Sequence, residues 1–125
     1  MNRVLLAGVV VAVLTLSGFA QHHEEQKTAQ LNFVVIKDTN GKPVRNAEIV
    51  LHPVDKMGKQ KQEGLELKTH EDGKASVAGI PYGKLRVQVI ASGYRTYGED
   101  YDIAQPAHEI TIKMQRPADQ YSIYK

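Results

Sequence analysis

A chain of 125 residues, 42% of them hydrophobic and 24% charged, has the length and balance of one globular domain with its own core. Its formal net charge of +2 is too small for the clustered basic face that nucleic-acid binders need, and it gives no support to anionic membrane surfaces. The absence of cysteine excludes a disulfide scaffold, a thiolate metal site, a cysteine nucleophile and a lipidated cysteine, while leaving an oxidising compartment open.

The chain begins with Asn2-Arg3, an apolar run from Val4 to Leu16, and small residues Gly18 and Ala20 at −3 and −1 before the polar Gln21. That order predicts a secretory signal peptide over residues 1–20, removed on export. The apolar run falls short of the ~20 residues that a spanning helix needs, so no stable membrane insertion is expected after cleavage. Residues 21–30 (QHHEEQKTAQ) are polar and unperiodic, and they predict a flexible leader. Cleavage after Ala20 would make His23 the third residue, next to His22, where a free amine, two amides and an imidazole suit square-planar Cu(II) or Ni(II). Cyclisation of Gln21 would remove that amine, and a solvated leader is the reading preferred.

From Leu31 the period changes to two. LNFVVIK reads as a strand that stops at Asp38-Thr39-Asn40-Gly41, where Asn-Gly marks a turn. Ala47, Ile49 and Leu51 alternate with Glu48 and His52 up to Pro53, and residues 54–64 read as a long surface loop. Leu65 and Leu67 alternate with Glu66 and Lys68. The stretch from Thr69 to Tyr94 then organises the chain. Asp72-Gly73 predicts a hairpin, because glycine adopts φ > 0 without a Cβ penalty. Pro81 presets φ at the second position of a turn that Gly83 ends. Between Lys84 and Ala91, Leu85, Val87, Val89 and Ala91 face one way and Arg86, Gln88 and Ser92 the other, with Ile90 the apolar exception outside.

Beyond the Gly93 corner, a looser strand runs over Tyr97, Tyr101 and Ile103, and Gln105-Pro106-Ala107 breaks it. Ile110, Ile112 and Met114 alternate with Glu109, Thr111 and Lys113 in the last strand. Pro117 is expected to end it, since proline cannot donate to a ladder. A tail over residues 117–125 carries Tyr121, Ile123 and Tyr124, which suggests extended pairing with its own sheet or a partner's edge. Seven short strands with a turn signal roughly every ten residues predict an antiparallel β-sandwich over residues 31–116.

The order Gly41-Lys42-Pro43-Val44, Asn46-Ala47-Glu48-Ile49, Thr69, Asp72-Gly73, Gly79-Ile80-Pro81-Tyr82-Gly83 and Gly93-Tyr94 resembles the carboxypeptidase regulatory-like domain family, a transthyretin-like, Ig-like seven-stranded sandwich. The resemblance covers about residues 31–115, and it is the order and spacing together that carry it. It implies a non-catalytic module, grouped with carbohydrate-binding-like folds, without a cofactor. A purine-pathway hydrolase shares the transthyretin-like fold and typically ends in Tyr-Arg-Gly-Ser. Here the chain ends Tyr121-Ser122-Ile123-Tyr124-Lys125, a departure that argues against that activity.

The residues themselves give no catalytic pattern. No serine sits in a G-x-S-x-G context, and His52, His70 and His108 lie on separate segments without ligand spacing. Glu99, Asp100 and Asp102 form an acidic cluster lacking the spacing of a calcium loop, and alternation puts Asp100 and Asp102 on one outer face. Two functions from different classes follow: a structural or protein-interaction module of the bacterial envelope or secreted space, and a glycan-binding module. Glycan binding would use exposed rings among Tyr82, Tyr94, Tyr97 and Tyr101, because sugar platforms need aromatic faces.

Overall fold

The computed structural model describes residues 26–117. The expected signal peptide, His22 and His23, and the tail from Ala118 onward lie outside those residues.

Seven strands form: β1 (Thr28–Lys37), β2 (Glu48–Pro53), β3 (Leu65–Lys68), β4 (Lys74–Pro81), β5 (Gly83–Ile90), β6 (Tyr97–Ile103) and β7 (Ala107–Met114). They make a three-stranded sheet in the order β4-β1-β7 and a four-stranded sheet in the order β3-β2-β5-β6. The alternation in sequence becomes the division between core and water. Leu31, Phe33 and Val35 of β1, Ile49 and Leu51 of β2, Leu85, Val87 and Val89 of β5, and Ile110, Ile112 and Met114 of β7 are all buried between the sheets. Each such aliphatic or aromatic side chain contributes about 1.5–3 kcal/mol when fully withdrawn from water. Ile90 remains outside, 46% exposed, as its place in the alternation requires.

Three sequence expectations change. The sandwich is not wholly antiparallel, because β1 and β7 pair in parallel from Gln30↔Ala107 to Lys37↔Met114. Parallel neighbours need a long crossover between them, and here almost the whole domain supplies it. Strand β1 also begins at Thr28, inside the segment read as leader; Ala29 is buried and pairs with Ile80, and Gln30 N–H donates to Pro106 O at 2.8 Å. Polar residues without periodicity join the sheet there because their backbone partners come from β4 and the turn before β7. Finally, the ladder of β7 ends at Met114, so Pro117 follows the strand rather than stopping it.

The turns are where glycine was expected, but they connect differently. Gly73 has φ +76°, with its N–H donating to His70 O at 2.9 Å. The flanking strands do not pair with each other: β3 belongs to the four-stranded sheet and β4 to the three-stranded one. Asp72-Gly73 is therefore a corner between sheets, not a hairpin. The same holds at Pro81-Tyr82-Gly83, which carries the chain from β4 back to β5. Only β2–β3 and β5–β6 join sequence neighbours within one sheet. Strand β4 also carries a bulge. Its register passes from Ala29↔Ile80 to Leu31↔Val77, and Gly79 at φ +79° takes up the extra residue.

Candidate functional site

The four tyrosines proposed as a sugar platform are placed by their strands. Tyr97 and Tyr101 are opposite Val89 and Leu85 in the β5–β6 register, so they lie on the core side of β6. Both are partly buried against the core cluster, as are Tyr82 and Tyr94. Their hydroxyls hydrogen-bond to each other. Burial, followed by that bond, raises the Tyr101 phenol well above its ordinary range. Tyr82 stands at the start of β5 and Tyr94 just past its end, in a turn closed by Tyr94 N–H donating to Ala91 O at 3.1 Å. The length of β5, about 23 Å for eight residues, therefore separates Tyr82 from Tyr94. The fold brings together Tyr97 and Tyr101, but not all four.

Across the outer face of the same sheet, Arg86 and Asp100 form a two-pronged pair, Nε to Oδ1 at 2.8 Å and Nη2 to Oδ2 at 3.0 Å. The guanidinium holds the Asp100 carboxyl below its ordinary value, and the carboxylate raises Arg86 in turn. Asp102 is opposite Lys84 in the register. The expected outer placement of Asp100 and Asp102 therefore holds, but each lies beside a cation. Glu99, opposite Val87, points to the other side. Sequence alternation had put Arg86 and Asp100 on outer faces; only the β5–β6 pairing makes them partners.

Two of the described histidines, His52 and His108, serve as fasteners. His52 Nδ1 lies 3.2 Å from both Lys61 O and Glu63 O, so as a donor it holds the loop over residues 54–64 to β2. Its ring fills the space beside Gly64, where an added Cβ would come within 2.5 Å of it. His108 Nε2 accepts from the N–H groups of Ala104 and Gln105, each at 3.2 Å, and so shapes the β6–β7 turn. Asp55 Oδ1 likewise accepts from Met57 N–H and Lys59 N–H at 2.8 Å. Among the described residues no group of three or more His, Asp or Glu is placed to hold a metal ion.

Among the described residues, an open shelf of about 690 Å³ is lined by Arg45, Asn46, Thr69, His70, Glu71 and Asp72. Behind it lies Thr69, buried and fully engaged. Its hydroxyl donates to Val44 O at 2.7 Å and accepts from Ala47 N–H at 2.9 Å. Its backbone exchanges bonds with Asn46 and Ala47, which fixes Asn46 in the left-handed region at φ +58°. Asparagine tolerates that conformation better than most residues. The sequence placed Thr69 in the ordering turn region, but nothing local signalled its burial. A second, apolar cleft of about 150 Å³ opens where the β3 and β4 edges face each other, between Leu65, Ile80, Pro81 and Leu85. No helix among the described residues is long and apolar enough to cross a membrane.

No family model matches this chain, and no curated protein does either. Solved structures do share its fold. A minor pilin of Streptococcus agalactiae superposes on 80% of the chain with a TM-score of 0.58 at 16% identity. The major pilin subunit of Bacillus cereus covers 70% with a TM-score of 0.55 at 20% identity. The hydroxyquinol 1,2-dioxygenase of Pseudomonas putida covers 75% with a TM-score of 0.59 at 11% identity. The chain spans 49%, 30% and 58% of those proteins' lengths, respectively. Identities this low establish a shared β-sandwich fold, found in pilins and in a dioxygenase alike, and fold does not carry function with it. The fold class is thus an all-β sandwich of two sheets, with three and four strands.

Proposed function

We propose that this chain is an exported, non-catalytic β-sandwich module that works through protein contact or structural support in the bacterial envelope or secreted space. One observation carries the reading. Several side chains capable of chemistry are engaged in fastening the fold: His52 holds loop carbonyls, His108 holds loop amides, and Asp100 is held by Arg86. A side chain committed to backbone partners is positioned to stabilise a scaffold rather than to exchange protons with a substrate. The likeness to pilin segments is compatible with such a scaffold, and the sequence of the first twenty residues supports export. The carboxypeptidase regulatory-like resemblance points the same way. A glycan role draws less support, because the four tyrosines are partly buried against the core and the length of β5 separates Tyr82 from Tyr94.

The test is N-terminal sequencing of the chain recovered from periplasm or medium, with in-cell photo-crosslinking from position Arg45 or His70 on the open shelf. A start near Gln21 and a reproducible protein adduct are expected. An intact Met1 in a membrane fraction, or glycan binding without any protein adduct, would overturn the reading.

A further inference from the structure

Among the described residues no strand pairs with the outer edge of β7 from Ala107 to Lys113, and this edge differs from the other three edges of the sandwich. An exposed edge presents unpaired N–H and C=O groups that template pairing with another strand, and proteins usually blunt it. Strand β3 is blunted by length, at four residues. Strand β4 is blunted by its bulge at Gly79 and by Pro81. Strand β6 carries Gly98 and the carboxylates of Glu99, Asp100 and Asp102. Strand β7 is neither short nor bulged: it runs for eight residues without proline or glycine in unbroken register with β1, and its two exposed charges, Glu109 and Lys113, are of opposite sign.

The groups it presents can be read from its hydrogen bonds. Pro106 O accepts from Gln30 N–H and Met114 O from Asp38 N–H, so the even-numbered residues turn their backbone groups toward β1. In a strand the N–H and C=O of one residue point to the same side, and successive residues alternate. Ala107, Glu109, Thr111 and Lys113 therefore direct theirs outward. Gln115 O fits this parity, because it accepts from Arg95 N–H on the outer side at 2.8 Å. The side chains of Glu109, Thr111 and Lys113 are exposed on the outer face, while Ile110, Ile112 and Met114 are buried.

We propose that a second copy of this chain pairs on that edge, β7 against β7, antiparallel about a two-fold axis through Thr111. This rests on the edge alone and holds whether or not the export and partner reading above is right. The strand is complementary to itself in that register. Glu109 falls opposite Lys113 of the second copy, and Lys113 opposite its Glu109. Thr111 faces its own counterpart, a favourable cross-strand pair, and Ile110 meets Ile112 on the inner side. The outward backbone groups at 109, 111 and 113 then face one another in bonded pairs, giving about six new inter-strand hydrogen bonds. Moving the axis to Glu109 or to Lys113 would set like charges opposite, so the charges select one register. A closed two-fold contact of this kind uses up the edge and ends there, joining two three-stranded sheets into one.

The experiment is sedimentation velocity on the chain as recovered from its producing cell, over a rising concentration series. A reversible dimer is expected. Lys113→Glu and Glu109→Lys, both at exposed positions, should each weaken it by at least about tenfold, since each creates two like-charge oppositions. The double reversal E109K/K113E restores every opposition and should restore the dimer. Thr111→Cys introduces the only thiol of the chain and places two thiols about 5.5 Å apart at Cα, within disulfide reach. It should cross-link on mild oxidation, whereas Lys68→Cys on β3 should not. A monomer at every concentration, single reversals without effect, or a double reversal that fails to rescue would overturn the proposal. So would a dimer seen only after removal of residues 118–125, which would mean the tail occupies the edge.

Discussion

Replacing Gly73 by alanine tests the corner between the sheets, and the structure supplies its own control. Gly73 sits at φ +76°, and a Cβ there would come within 2.5 Å of Val35 O and 3.0 Å of Pro43 Cβ. Gly93 sits at φ +86° with nothing within 4 Å of the same added atom. The two substitutions therefore share the left-handed strain of about 1–2 kcal/mol and the loss of unfolded-state entropy that partly offsets it. They differ in the collision. Val35 O cannot retreat freely, because it accepts from Val44 N–H at 2.9 Å while Val35 N–H donates to Gly73 O at 2.8 Å. Displacing packed backbone of this kind costs about 1–3 kcal/mol. Gly93→Ala should then destabilise by about 1–2 kcal/mol and Gly73→Ala by about 2–5 kcal/mol, a large share of the roughly 5–15 kcal/mol available to a domain. Urea unfolding read by circular dichroism measures both. With a slope of about 1.5 kcal/mol per molar, the Gly73→Ala midpoint should lie about 0.7–2 M below that of Gly93→Ala. Equal midpoints would refute the collision and, with it, the close approach of the Gly73 corner to β1.

Two further substitutions bear on the hydrogen-bonding and the aromatic edge. Thr69→Val removes one hydroxyl and leaves Val44 O and the buried Ala47 N–H without a partner, so a loss of about 2–4 kcal/mol is expected in the same urea assay, with Thr69→Ser losing much less. Tyr101, whose phenol is raised in the folded state from an ordinary value of 10, contributes stability that is fully present below pH 10 and lost as pH rises toward the folded-state value. Thermal unfolding at increasing alkalinity should therefore show a decline above pH 10 that Tyr101→Phe reduces, and an unchanged decline would contradict the burial of that hydroxyl.

The strands were legible because a period of two is a local signal. Leu85, Val87 and Val89 must share a face whatever they pack against, and Ile110, Ile112 and Met114 likewise, so the core could be read from the chain alone. The positions of the turns were legible for a similar reason, since Gly73, Gly83 and Gly93 supply backbone conformations that other residues adopt only under strain. Which strands those turns join was not. A tight turn has much the same local chemistry whether its flanking strands pair or diverge into separate sheets, and the choice is made by the apolar area that each strand buries against distant partners. Hence Asp72-Gly73 reads as a hairpin and folds as a corner. For the same reason Thr28 to Gln30 reads as leader and folds as strand, its partners lying some fifty and seventy-five residues further along. The candidate functional residues divide in the same way. Arg86 and Asp100 could be assigned to outer faces by parity, but their pairing needed the register of β5 with β6. The tyrosines could be found, but that Tyr97 and Tyr101 lie on the core side depended on the register that sets them opposite Val89 and Leu85. Periodicity along one strand determines which residues share a side; only the tertiary pairing decides what that side meets.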